Sequence, residues 1–179
     1  MQLTKGFEQA ACITALLATQ DRRIPLASHV IHTRVSGSAT YLKKIMRKLV
    51  VGGVIKSASG NSGGFTLADD PKKITVLQVV QAVEGNIHTY PNNGLLELVF
   101  SDFRPLANEG SSAINKVFEQ ADLAWEKALN RVTLYDILCQ TLGTTDIPLV
   151  DWNQLQLSYS EQAALWMEKL KNNLANNKN

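Results

Sequence analysis

The sequence predicts a mainly α-helical fold with a small β-wing, and two segments of the chain support this prediction. The first segment runs from Val35 to Ala68 and reads as a short basic helix followed by a Gly-rich β-hairpin. In the second, from Ile114 to Val132, apolar residues recur at helical spacing. A helix that leads into such a hairpin has the outline of a winged helix-turn-helix domain, to which the second segment would add a long dimerisation helix.

The basic helix is expected to span about residues 39–51. Its apolar residues recur at i, i+3, i+4 and i+7, so one face should be buried while the other stays polar and basic. Ser38 stands where an N-cap is needed, and Gly52 follows where the helix must stop. The exposed face is suited to a DNA groove and carries Thr40, Tyr41, Lys44, Arg47 and Lys48.

The wing is predicted from two short β-prone runs, residues 54–56 and 65–67, on either side of the turn-forming sequence SASGNSG. Glycines at the tip permit backbone angles that other residues avoid, and they let the tip approach a phosphate closely.

Further helices are expected on both sides of this segment. Pro25 is suited to the first turn of a helix that ends near Thr33, and Thr75 can cap another. The remaining helices are expected over about residues 4–20, 25–33, 76–83 and 161–174, with one helical turn at residues 95–100. The resulting division is a winged helix-turn-helix domain at 1–85, a linker at 86–112, a dimerisation helix region at 113–145 and a C-terminal helical extension at 146–179.

The apolar stripe of the long helix must find apolar surface, and a partner subunit is the natural place. A two-fold dimer would also space two recognition helices for successive major grooves, about 34 Å apart. The alternative is that this helix folds back on its own domain. The predicted interface residues are Ile114, Val117, Phe118, Ala121, Trp125 and Leu129.

Charge is distributed unevenly along the chain. Residues 1–73 hold eleven Lys/Arg and four Asp/Glu, a net charge of +7, whereas residues 74–179 hold seven and twelve, a net charge of −5. Such asymmetry is typical of a protein whose one end binds a polyanion. The alternative is a basic surface that is merely solvated.

Membrane, metal and enzyme functions find little support in the sequence. No apolar run approaches the length of about 18 residues that a spanning helix needs, and two cysteines, Cys12 and Cys139, favour a reducing cytoplasm. His29 and His32 lie three residues apart but have no acidic or thiol neighbour, so no metal site is expected. No nucleophile elbow, P-loop or paired carboxylates indicate an enzyme.

The stretch SATYLKKIMRKLVVGGVIKSASGNSGGFTLA, followed by ITVLQVVQAVEG, resembles the Rrf2-type bacterial transcription regulators over about the first 85 residues. The opening LTKG and the later TLYDIL resemble the two ends of that family's domain. The resemblance implies a homodimer on double-stranded DNA, in which the helix reads the major groove and the wing reaches the minor groove. By motif position it implies base or phosphate contacts at Ser38, Thr40, Tyr41 and Lys43, to which Lys44, Arg47 and Lys48 add salt-dependent attraction.

The chain departs from the family pattern at three places. The wing usually carries an arginine before its first glycine, and here Ser59 stands there. Minor-groove contact would therefore be weakened, or would be replaced by a residue such as Asn61. The stretch between Pro25 and Tyr41 is about two residues longer than usual. Many members hold an iron–sulfur cluster on three linker cysteines, which are absent here, so no cofactor is expected.

These observations favour a dimeric, sequence-specific DNA-binding regulator, and a repressor before an activator, because a protein that covers promoter DNA blocks polymerase directly. The alternative is a winged-helix protein-interaction module, which the missing wing arginine and the acidic second half would suit. The regulatory signal is left open: Cys139 would be either a redox-sensitive thiol or a packed side chain.

Overall fold

The computed structural model describes residues 2–60, 63–154 and 159–176, which form eight α-helices, a short 3-10 helix at Ser101–Phe103 and one two-stranded sheet. In chain order, the elements are α1 Lys5–Thr19, α2 Ser28–Arg34, α3 Ala39–Val51, β1 Ile55–Ala58, β2 Gly64–Leu67, α4 Val76–Glu84, α5 Leu95–Val99, α6 Arg104–Asn130, α7 Leu134–Leu142 and α8 Tyr159–Asn176.

Helix α1 lies at the centre of the core. Ala10, Ile13 and Thr14 on this helix have no exposed surface, and the helix contacts α3, α4, α7 and β2. Its first turn is held by Thr4, whose side chain accepts a hydrogen bond from the Gly6 N–H and whose hydroxyl donates to the Glu84 carboxylate at 2.6 Å. The start of α1 is therefore joined to the end of α4.

The predicted basic helix is confirmed as α3, with the expected ends. Ser38 is the N-cap and accepts a hydrogen bond from the Tyr41 N–H, and Gly52 ends the helix. The apolar face lies in the core, since Leu42, Ile45, Met46 and Leu49 are all buried. Amphipathic spacing and a short polar cap were sufficient local signals for this element.

The wing is an antiparallel hairpin in which Ile55 pairs with Leu67 and Ala58 pairs with Gly64. Leu26 pairs with β2 in the way that a residue of a third strand would. Its N–H donates to the Phe65 carbonyl and its carbonyl accepts from the Phe65 N–H, both at 2.9 Å. The prediction that Pro25 opens α2 is therefore wrong. The chain stays extended to pair with the wing, and α2 begins only at Ser28.

The long helix α6 begins at Arg104, ten residues before the first position of its predicted apolar stripe. Pro105 lies in its first turn, where the missing N–H costs no helical hydrogen bond, and Gly110 lies in its exposed interior. Much of the segment that was interpreted as a linker is consequently helical, and the short helix α5 within it matches the helical turn expected at residues 95–100.

Helices α4 and α7 each begin with a capping box. Thr75 exchanges hydrogen bonds with Gln78, and Thr133 does the same with Asp136. The two caps lie side by side, because Thr75 and Thr133 form an isolated antiparallel β-bridge. The start of α7 is thereby tied to the start of α4.

The C-terminal extension returns to the helix-turn-helix. Val150 pairs with Gln20 in a parallel bridge after α1, and Trp152 packs against the main core. Helix α8 is tethered to the preceding segment by side-chain hydrogen bonds from Trp166, Lys169 and Asn173 to backbone carbonyls. Among the described residues, no helix has both the length and the apolar character required to cross a membrane.

Replacement of Gly64 by Ala should destabilise the fold through the contact between wing and Leu26. An added Cβ would lie 2.3 Å from the Leu26 carbonyl oxygen, a backbone atom that cannot move without breaking the pairing with Phe65. Gly64→Ala should lower the free energy of unfolding by about 2 kcal/mol, measured by urea denaturation. Gly110→Ala is the control, because a methyl group there meets no described atom within 4 Å apart from its chain neighbours and the backbone of its own helix. Equal stability of the two variants would contradict the expectation.

Candidate nucleic-acid interface

The exposed face of α3 brings together most of the residues predicted to contact DNA. Ser38, Thr40, Lys43, Lys44 and Arg47 are all exposed, and the Tyr41 side chain is 38% exposed. Hydroxyl groups can bond to a phosphate or a base edge, while lysine and arginine supply attraction to the backbone. The face therefore presents both the hydrogen-bonding groups and the positive charge that docking on a duplex uses.

Two contacts from α1 fix the position of this face. The buried Gln9 donates a hydrogen bond from Nε2 to the Ser36 carbonyl in the turn before α3. In that turn Gly37 has φ +145°, a conformation that favours glycine. At the start of α1, a Cβ on Gly6 would lie 3.1 Å from the Tyr41 hydroxyl oxygen. Glycine at this place lets α3 approach the helix beneath it.

Lys48 is arranged differently from the other basic residues of α3. It is only partly exposed, and its Nζ donates a hydrogen bond to the Val83 carbonyl at the end of α4. A cation at a helix C-terminus also interacts favourably with the helix dipole. The structure therefore gives Lys48 a role inside the protein, in addition to the contact with DNA that the sequence predicted.

Several other basic residues of the first half are paired with carboxylates. Arg22 binds Asp70 at 2.9 Å and Arg23 binds Asp21 at 2.6 Å. The hydrogen bonds from Arg23 lower the pKa of the Asp21 carboxyl from 3.8 to about 2. Within the described residues, Lys43, Lys44 and Arg47 take part in no such pair. The exposed face of α3 thus carries three neighbouring cations that form no ion pair within the described residues.

The wing contributes fewer candidate contacts. Ser59 is exposed directly after β1, whereas the predicted contact Asn61 lies outside the described residues. Lys56 on β1 is exposed and was not predicted. It could have been found from the alternation of the strand, because Ile55 beside it is buried and the next side chain must point the opposite way.

The predicted dimer interface divides into two groups on α6. Trp125 and Leu129 are half-buried and pack within the chain against a cluster formed by Leu77, Val80 and Ile87. Ile114, Val117, Phe118 and Ala121 remain exposed, although the Phe118 ring stacks on Tyr90 with 5.0 Å between centroids. The long helix therefore both folds back on its own domain and keeps part of its apolar stripe open.

The sequence prediction missed a group of exposed apolar residues on α5, the turn after it and the start of α6. Its five side chains are between 65% and 72% exposed. They are Leu95, Leu98, Val99, Phe103 and Leu106. The sequence LLELVF predicts a helical turn, but one short turn does not indicate which of its side chains will pack on the rest of the protein and which will stay exposed.

The chain does not supply the ligands for an iron–sulfur cluster of the kind that many Rrf2-type regulators hold. Such clusters need several thiolates. The two cysteines lie on α1 and α7, outside the segment between α4 and α6. In the described part of the chain, no three His, Cys, Asp or Glu side chains form a group that could hold a metal ion. The residues present therefore do not fit the cluster.

Comparison with known proteins agrees with the fold. The sequence model of the Rrf2 family, described as an iron-dependent transcriptional regulator, matches residues 3–140. The chain is 32% identical over 151 residues to YwgB of Bacillus subtilis (strain 168), across 84% of this chain and 93% of that protein. It is 25% identical to the HTH-type transcriptional repressor NsrR of Streptomyces coelicolor, across 84% of this chain and 97% of that protein.

Solved structures show the same architecture. T. potens IscR matches with a TM-score of 0.56 at 21% identity, over 89% of this chain and 96% of that one. CymR, the global cysteine regulator of B. subtilis, matches with a TM-score of 0.53 at 18% identity, over 76% of this chain and 95% of that one. With the family match over residues 3–140, these findings identify the chain as a member of the Rrf2 family of winged helix-turn-helix, DNA-binding transcriptional regulators.

Proposed function

We propose that the protein is a homodimeric repressor that reads its operator through the exposed face of α3. The observation that carries this proposal is the group formed by Lys43, Lys44 and Arg47, exposed beside the hydroxyls of Ser38, Thr40 and Tyr41. Basic residues neutralise phosphates, and hydroxyls provide hydrogen bonds to base edges or phosphates. Lys56 and Ser59 of the wing are proposed as secondary contacts, and Asn61 is kept as a candidate.

The second subunit is proposed to cover the open apolar surface of α5 and α6. Large contiguous apolar patches are rare on the surfaces of monomers and mark interaction sites. Val117 and Leu106 are 65% and 72% exposed, and both lie on the helix that follows the DNA-binding domain. In a two-fold dimer the same surface serves both subunits, and two α3 helices then face one side of a duplex.

Repression is proposed to proceed without an iron–sulfur cluster, because the chain lacks the required thiolates. A bound dimer would occlude polymerase without further machinery. The name of NsrR describes that protein as a transcriptional repressor, and the match covers 97% of its length. This supports repression, and not activation, as the role of the present protein.

Specific DNA binding can be tested with DNA from upstream of the protein's own gene. In a gel-shift assay at physiological salt, we expect a dissociation constant of about 10⁻⁸ M or lower for the operator, and at least about 10³-fold weaker binding to unrelated DNA. Equal affinity for both fragments would leave only electrostatic attraction and would refute sequence-specific reading.

Removal of two cations from α3 tests the contact with the DNA backbone. Lys44→Ala combined with Arg47→Ala should weaken operator binding and reduce the slope of log K against log salt by about 1 for each phosphate that is no longer neutralised. The matched control is Lys171→Ala combined with Arg131→Ala, since these exposed cations lie outside α3. A slope that is unchanged in the α3 variant would show that this face is merely solvated.

A charge within the open apolar surface tests the dimer. Val117→Asp should dissociate the dimer, because an unpaired carboxylate would be buried at the interface. Sedimentation velocity at micromolar concentration gives the mass. Leu165→Asp on α8 is the control, at an apolar residue that is 45% exposed elsewhere, and it should stay dimeric. A monomeric parent protein, or a Val117→Asp variant that remains dimeric, would contradict the proposed interface.

A further inference from the structure

The segment between α7 and α8 is bound to the helix-turn-helix, although it lies beyond the residues that the family model matches. We call residues 144–154 the C-terminal strap. Its backbone forms two hydrogen bonds around the end of α1: the Val150 N–H donates to the Thr19 carbonyl at 3.0 Å, and the Asp21 N–H donates to the Val150 carbonyl at 2.8 Å.

Side chains of the strap strengthen this attachment. The indole Nε1 of Trp152 donates to the Thr19 hydroxyl at 3.0 Å, and the Trp152 backbone N–H donates to Gln20 Oε1 at 2.9 Å. Gln20 in turn donates from Nε2 to Asp151 Oδ1 at 3.1 Å. Gln20 is only 2% exposed, and its amide is satisfied by these partners together with the Ile24 carbonyl, to which Nε2 donates at 3.1 Å.

Asn153 bonds to the extended segment that pairs with the wing. Its Oδ1 accepts from the Ala27 N–H at 2.9 Å, and its Nδ2 donates to the Pro25 carbonyl at 3.0 Å. A side-chain amide that bonds to a carbonyl and an N–H two residues apart repeats the pattern of a neighbouring β-strand. The same amide nitrogen also donates to Asp151 Oδ1 at 2.9 Å, which fixes its orientation.

Residues 25–27 are therefore held from both sides. On one side Leu26 pairs with Phe65 of the wing, and on the other side Asn153 bonds to the flanking backbone groups. Ala27 is also the N-cap of α2, the first helix of the helix-turn-helix. A shift of this short segment would move the wing and α2 together.

We propose that Asn153 is a positioning residue for DNA binding, which holds the wing and the helix-turn-helix in the arrangement that fits the operator. The proposal rests on the DNA-binding function proposed above. Asn153 acts here through the backbone of residues 25–27 and not through a contact with DNA. Its removal should lower the fraction of molecules that are competent to bind, while the contacts of the bound state stay the same.

The test compares full-length Asn153→Ala with the parent protein on the operator, at several salt concentrations. We expect operator binding to weaken about tenfold, because apparent affinity falls with the competent fraction, at an unchanged salt slope. Asn172→Ala on an exposed part of α8 is the matched control and should bind like the parent. Thermal denaturation followed by circular dichroism establishes that each variant is folded at the assay temperature.

A second variant, Trp152→Phe, keeps an aromatic ring but removes the N–H that bonds to Thr19. It should weaken binding in the same direction at the same salt slope, which preserves the test if Asn153→Ala does not fold. Parent-like or tighter operator binding by a folded Asn153→Ala would overturn the proposal, as would a salt slope reduced by about 1, which would indicate a direct phosphate contact. Failure of the parent protein to bind any operator specifically would instead refute the proposed function, and this proposal with it.

Discussion

Burial of α1 is the constraint on which the DNA-binding unit depends. This helix contacts α3, α4, α7 and β2, and a close-packed interior transmits any change in its position to all of them. Gln9 donates a hydrogen bond to the turn before α3, and the Tyr41 hydroxyl of α3 lies close to Gly6 of α1. The orientation of the polar face of α3 is therefore set in part by Gln9 and Gly6, which are buried on α1.

Some basic side chains of residues 1–73 bond within the protein, and others are exposed to solvent. Arg22 and Arg23 have carboxylate partners, and Lys48 bonds to the end of α4. What the amino-acid count gives as an excess of +7 in residues 1–73 is thus not a uniform basic surface. Part of the excess lies on a single helix, where Lys43, Lys44 and Arg47 are exposed on one face of α3.

The sequence was sufficient wherever the determining signals are local. Ser38 and Gly52 delimit α3, and Thr75 begins α4, because capping depends on groups within a few residues. Prediction was wrong at Pro25, whose neighbour Leu26 pairs with a strand about forty residues later in the chain. The sequence also did not predict which residues of the α6 stripe pack within the chain, because the partners of Trp125 lie on α4. Asn153 bonds to backbone groups 126 and 128 residues away, which no periodicity encodes.

The bonds of Asn153 also affect how this protein behaves towards other polypeptides. An extended segment with unpaired N–H and carbonyl groups on its outer side is an open sheet edge, which can template the addition of a foreign strand and lead to aggregation. Here the outer groups of Pro25 and Ala27 are already satisfied by one side-chain amide. The sheet is closed at that edge without a further strand, so a cellular protein with an extended segment finds no free hydrogen-bonding groups on these two residues.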